Sequence, residues 1–425
     1  MPWSKLLAAT AVALLSCLAP VAAAQAEAYP APPPLKATTA CVIDADSGQM
    51  LWGWNEHARR PMASTTKIMT TLLACESGKL DDVVTISKRA ASVGEASIYL
   101  QAGEKLTLRQ LVYGALLASG NDAAWAIAEY VGGGDVNKFI GMMNQRAQEL
   151  GLKDTHYNSP NGLPTPDHYS SSYDLCALLR VASQDPDWEQ IATTKFKKLP
   201  YCGKPDGRVL RNHNRLLWTY PYAGGGKTGY TDKAGPCFTG TANKGDRHVV
   251  EAVMDDLQMW ADSQKLLAYG LNNFDKVVVA RKGEVVGTVP IQSGYNRVVE
   301  VVAPQDVSVT LPRGTAEKAS LQQVWQLPDQ MSAPINQNQQ VGQLVVRDGN
   351  QVLTKVPLVA AEAVPVAASP WAHISSWFFP GMLAASLLSL LRLQNVRRRR
   401  KRRRLRRVPG TMVAKQGTGR LSKAS

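Results

Sequence analysis

The sequence predicts a mixed α/β (α+β) domain, then a small all-β domain, then one apolar helix. Three observations predict it. Strand-like runs stand at both ends of residues 36–274, with helix-like runs between them. From Asp275 the chain turns to short valine-rich runs. Trp371–Leu391 then carries no charge apart from His373.

The elements follow in order. Ala40–Asp44 and Gln49–Trp54 flank the turn-rich Ala45-Asp46-Ser47-Gly48, so they read as a hairpin. Ile68–Ala74 has no breaker, so a helix is expected to start near Ser64. Leu106–Leu117 reads as a second helix with Thr107 as its cap, stopped by Ser119-Gly120-Asn121-Asp122. Helices are expected over Asp122–Val131, Val136–Leu150 and Ser172–Ala182. Lys227–Thr231, Cys237–Ala242 and Arg247–Met254 read as strands of a meander, closed by a helix over Leu257–Asn272. Beyond it, Lys276–Ala280, Val285–Val289, Val298–Val302 and Val307–Leu311 are short strands. Val341–Val346 and Val352–Val356 form a further hairpin around Asp348-Gly349-Asn350.

The ends have their own logic. Lys5, the apolar run Leu6–Leu18 and the small residues Val21–Ala26 make a secretory leader over 1–24, and hence an exported protein. Leu14–Cys17 resembles a lipoprotein box only weakly, because Leu15 is atypical. Residues 25–35 are a stiff Pro-rich linker. The α+β domain is placed at 36–274, the β domain at 275–363. A transmembrane or interfacial helix follows at 371–391, and a basic cytoplasmic tail at 392–425. The net charge of +14 belongs to that tail, which holds fourteen Lys and Arg and no acid; the remainder is neutral. A nucleic-acid surface on the main body therefore has no support, and none is expected. Of six cysteines, Cys17 leaves with the leader. Cys41, Cys75, Cys176, Cys202 and Cys237 form no C-x-x-C pair; Cys75 and Cys176 sit in helical apolar runs and read as buried hydrophobes. No metal-ligand spacing appears, so no metal or cofactor is expected.

Three short motifs carry chemistry. Ser64-x-x-Lys67 puts an amine one helical turn from a hydroxyl, at about 5–6 Å between Cβ atoms. A serine needs such a base to become a nucleophile. Ser64 is the only serine in the chain with a lysine three residues on. Ser119-Gly120-Asn121 sits in a turn between helices, and Lys227-Thr228-Gly229 on a strand after three glycines. Each alone has an ordinary reading as a cap, a helix stop or an edge-strand charge. A second Ser-x-Asn, Ser159-Pro160-Asn161, shows how cheaply that pattern arises. The three in this order are much harder to obtain by chance.

With its flanks, this set resembles the low-molecular-weight penicillin-binding proteins, the serine-type D-Ala-D-Ala carboxypeptidases that share a fold with serine β-lactamases. The resemblance covers Lys36–Phe274 and includes Met62–Thr70, Asn158–Pro164, His168–Leu175 and Gly225–Gly235. The β domain and the C-terminal anchor also suit it. It implies that Ser64 attacks the terminal D-Ala-D-Ala amide of peptidoglycan stem pentapeptides, forming an acyl-enzyme. Lys67 is the implied base and Ser119 the proton relay. Asn121 is implied to orient Lys67 and bind substrate amides. Lys227 and Thr228 face the substrate carboxylate, and Gly229 lets a ligand approach the backbone. The amides of Ser64 and Tyr230 form the oxyanion hole. β-Lactams are the implied covalent inhibitors. A β-lactamase of the same fold is the rival enzyme, but Asp167 is the sole acid between Asn158 and Asp174. A wall-binding protein with a dead site is the other rival, against which all the motifs stand intact.

Overall fold

A computed structural model describes residues 30–201, 204–316, 319–367 and 370–405. The leader, Cys202 and residues 406–425 of the basic tail lie outside them.

The first compact unit takes in the described residues up to Thr288, with Glu300–Pro328 and Asn338–Ala361. Its centre is a five-stranded antiparallel sheet. The order is Met50–Trp54, Thr39–Asp44, Arg247–Met254, Gly235–Lys244, Ala223–Thr231. Sequence-distant strands thus meet at its middle, through pairs such as Cys41–Ala252. Ala223–Thr231 is left as an edge. The three glycines expected to precede that strand lie inside it.

Alternation sorts the two faces. Along Arg247–Met254, Val250, Ala252 and Met254 point into the larger core; Val249 and Val253 point into a smaller one under helix Met259–Asn272. The larger core is built on helix Lys67–Glu76, in which every residue but Glu76 is buried. A helix apolar all round belongs in an interior. Leu108–Leu117 and Asn121–Val131 pack against it. Thr107 caps the former through a full capping box with Gln110, as its sequence position suggests. Lys105–Thr107, however, is a short strand, so that helix begins two residues later than expected. Ser172–Ala182 and Arg247–Met254 coincide with their expected spans. No element is expected over residues 183–222, yet helix Pro186–Thr193 and the hairpin Phe196–Tyr201/Lys204–Arg211 lie there. Cys41, Cys75, Cys176 and Cys237 are free and buried.

Phe274–Ala280 pairs with Val307–Pro312, beneath the first domain's hairpin. Gln49 grips Thr310 in both directions: its Nε2 donates to the carbonyl at 2.7 Å, and its Oε1 accepts from the amide at 2.9 Å. Gln340–Asp348 and Gln351–Ala360 form the expected hairpin, with Leu321–Gln326 on its outer side. In the second compact unit Ile291 and Gln292 pair in parallel with Met331 and Ser332.

The expected membrane segment Trp371–Leu391 falls within one helix, Pro370–Leu405. The side chains of 370–379 lie outside the described residues. Among the described residues no helix is long and apolar enough to cross a membrane.

Candidate active site

Ser64 does not open an α-helix. It lies in a 3₁₀ turn, Ala63–Thr66, and the α-helix starts at Lys67. A 3₁₀ turn eclipses residues i and i+3, which brings Lys67 directly over Ser64. Lys67 Nζ donates to Ser64 Oγ at 2.7 Å. Ala63, just before it, has φ +47°, an uncommon backbone for a residue with a side chain. Gly162 braces the turn: at φ +86° a Cβ there would lie 2.0 Å from the Ala63 carbonyl oxygen.

Lys67 is fully buried and surrounded by neutral oxygens. Besides Ser64 it donates to Asn121 Oδ1 at 2.8 Å and to the Asn161 carbonyl at 2.7 Å. Asn121 is itself held by its Nδ2 donating to the Gly94 carbonyl at 3.0 Å. Burial, and then the nearby charge of Lys227, hold the Lys67 pKa well below its ordinary value; Asp122 and Glu95 pull weakly the other way. Burial thus weakens this amine's hold on its proton.

Lys227 is 1% exposed. Its Nζ donates to Ser119 Oγ at 3.0 Å and to the Thr228 carbonyl at 2.8 Å. Burial brings its pKa down to about 7. Ser119 adopts φ +60°, another left-handed residue at a point where three elements meet. The structure therefore joins Ser64 and Asn121 through Lys67, and Ser119 to Lys227, in two hydrogen-bonded groups drawn from a helix start, an inter-helix turn and an edge strand. Thr228 is half-buried and lines an open groove beside it. The Tyr230 side chain is exposed, its hydroxyl donating to Asp232 Oδ1 at 3.1 Å.

Gly229 also has a packing reason. A Cβ there would stand 3.0 Å from the Ser64 amide nitrogen and 3.0 Å from the Met62 carbonyl oxygen. The missing side chain makes room for the Ser64 turn, and so seats the edge strand against it.

Several contributors carry no role in the sequence reading. Asn161 gives Lys67 its third acceptor. The Pro160 carbonyl accepts from Thr70 Oγ1 at 2.6 Å, and His168 Nε2 meets Thr66 Oγ1 at 2.8 Å. Burial takes the His168 pKa down to about 4, so it is neutral here. The second Ser-x-Asn thus lies at the site after all. It acts through backbone oxygens, while Ser159 Oγ turns inward to Asn161 Oδ1 at 2.6 Å. The signal available was Asn161-Gly162, a turn dipeptide.

Residues 25–258 match the D-alanyl-D-alanine carboxypeptidase family of peptidases. The chain belongs to that family. Residues 274–366 match the C-terminal domain of penicillin-binding protein 5, and the two together mark a low-molecular-weight penicillin-binding protein. Among its relatives, the D-alanyl-D-alanine carboxypeptidase DacF of Bacillus subtilis is 32% identical over 77% of this chain and 85% of its own. DacD of Escherichia coli is 32% identical over 82% of this chain and 92% of its own. The crystal structure of penicillin-binding protein 5 from Haemophilus influenzae superposes with a TM-score of 0.65 at 27% identity, over 79% of this chain and 99% of that one. In this carboxypeptidase family member, then, the α/β catalytic domain and the trailing all-β domain are both supported.

Proposed function

We propose that this protein is a serine-type D-Ala-D-Ala carboxypeptidase that removes the terminal D-alanine from peptidoglycan stem pentapeptides. One observation carries the reading: a fully buried lysine amine donates to a half-buried serine hydroxyl at 2.7 Å.

The residues then act as follows. Neutral Lys67 takes the proton of Ser64 along their existing contact. Ser64 Oγ adds to the carbonyl carbon. The oxyanion is met by the Ser64 and Tyr230 amides, which Gly229 lets the strand bring together. Asn121 holds Lys67 in line. Ser119, on the hydrogen bond from Lys227, returns a proton to the leaving amine, and D-alanine departs. Lys227 and Thr228 face the substrate carboxylate, and the edge strand pairs with the extended peptide. Water then hydrolyses the ester. β-Lactams enter by the same acylation and stay.

The family relationship, the leader and the basic tail support the rest of the reading. The protein is exported, its catalytic domain lies outside the cytoplasmic membrane, and residues 371–391 anchor it with the arginine-rich tail inside. Intact-protein mass spectrometry after brief exposure to benzylpenicillin, with peptide mapping, tests the site. The expected result is one stable adduct on Ser64, absent in Ser64→Ala, with D-alanine release from a pentapeptide lost in the same variant. A folded protein that takes up no label sinks the enzyme reading.

A further inference from the structure

Two of the buried cysteines stand against each other. Cys41 lies within strand Thr39–Asp44, and Cys176 within helix Ser172–Ala182. They are 135 positions apart in sequence, and both are fully buried in the larger core. Cys41 shares a face with Ile43, whereas Ala40 and Val42 enter the smaller core on the other side. Cys176 enters the larger core from the helix, with Leu175 and Leu179 beside it. Its thiol donates to the Cys41 carbonyl at 3.5 Å. The Cys41 thiol is a neighbour too. Burial first, and then that thiol, push the Cys176 pKa well above its ordinary value.

The other described cysteines are placed differently. Strand Arg247–Met254 runs between the strands of Cys41 and Cys237. Adjacent strands lie about 4.8 Å apart, so those two backbones are separated by about 10 Å, beyond the ~7 Å a disulfide can bridge. Cys237 Sγ turns instead to the carbonyls of Ala234 and Gly235, at 3.8 and 3.7 Å. Cys75 stands near the end of helix Lys67–Glu76, among the charges of Asp185, Asp187 and Arg109. A lone buried cysteine is a small hydrophobe. A touching pair from distant segments, in a chain read as exported, has a second use, because disulfides form and persist outside the cytoplasm.

We propose that Cys41 and Cys176 form a disulfide, which staples helix Ser172–Ala182 to the central sheet. The structure shows the pair in its dithiol form. The step balances through a disulfide donor. One cysteine thiolate attacks the donor, forms a mixed disulfide and releases one donor thiol. The second cysteine displaces the remaining donor sulfur, and the Sγ–Sγ bond forms. Two electrons and two protons pass to the donor, which leaves as two thiols. Burial keeps the Cys176 thiol protonated in the folded protein, so the exchange belongs to folding, before helix closes on strand. The staple also bears on the site. The residues leading into this helix supply the Asn161 carbonyl to Lys67 and His168 to Thr66.

The test uses the full-length protein in detergent. It is reduced and unfolded, then refolded either in reductant or in a mixture of reduced and oxidised glutathione. Remaining thiols are alkylated in denaturant, and peptides are mapped without reduction. We expect the oxidised sample to yield the Cys41 peptide linked to the Cys176 peptide. It should melt about 5–10 °C above the sample refolded in reductant. Cys176→Ala should melt at one temperature under both conditions. Alkylation of both thiols after oxidative refolding, or a link from either one to another cysteine, overturns the proposal. The map is read on the wild type, so it decides even if the variant does not fold. The buffer supplies the oxidant, so the outcome depends neither on where the protein resides nor on its activity, and a failure here leaves the carboxypeptidase reading intact.

Discussion

Buried cations are held in two different ways in this protein, one outside the site and one within it. Beneath the sheet, Arg247 donates to Asp44 Oδ2 at 2.8 Å and to Thr310 Oγ1 at 3.0 Å, with the Asp44 side chain fully buried. On the hairpin side, Arg208 is locked to Glu104. At the site, Lys67 and Lys227 are as deeply buried, but their acceptors are hydroxyl, amide and carbonyl oxygens. A carboxylate holds a cation's proton in place. A neutral oxygen lets it go once burial has made the charge expensive. The first arrangement fastens elements together; the second prepares an acid–base group.

The comparison breaks most sharply at Lys67. Lys67→Met should slow Ser64 acylation by about 10³-fold or more, while thermal unfolding shifts little, because no ion pair is lost. A drop in melting temperature as large as that of a core ion-pair variant would erase the distinction between the two regions. Asp44→Ala is the mirror experiment. It strands Arg247 and also removes the acceptor of the Ser47 amide and hydroxyl, at 2.8 and 2.7 Å. A loss of about 3–5 kcal/mol is expected in urea titrations, with the folded fraction still acylated.

The pH dependence sharpens the same contrast. Lys67 must be neutral to act, so acylation falls as pH drops through its lowered pKa. The Lys227 charge helps to lower that pKa, so Lys227→Gln should move this acid limb to higher pH. A limb that moves down or stays fixed contradicts the coupling. The sign for stability follows from proton counts. Lys227 titrates near 7 when folded and near 10.5 when unfolded. Between those values the unfolded chain binds the extra proton, so this residue makes stability rise from pH 7 towards 10.5; below pH 7 its penalty is full and constant. At the small end stands Arg313–Asp275, an exposed pair at 3.2 Å. Arg313→Ala should change unfolding free energy by about 0–1 kcal/mol.

Legibility followed the range of the interactions. Helix Ser172–Ala182 and strand Arg247–Met254 were readable because one periodicity runs through each. Helix Pro186–Thr193 was not, although Asp185 caps it and Pro186 stands at its first turn, where proline is tolerated. The hairpin that follows is amphipathic only over short stretches and takes its register from its partner. At the site the motif residues were legible because each carries its chemistry in its type. Asn161 was not, because its contribution is a backbone carbonyl that any residue could have supplied.

By itself the sequence determined the local matters: which serine has an amine one turn away, where strand and helix periods change, and where the charge of the chain accumulates. These depend on neighbours within a few positions. Only the tertiary structure decided that Ser64 sits in a 3₁₀ turn, that Gly229 is empty to admit that turn, and that Lys67 and Lys227 share one dry site across 160 residues of chain. It also decided which buried cations received a carboxylate. Desolvation and long-range pairing arise when distant segments exclude water together, and no short window of residues contains that information.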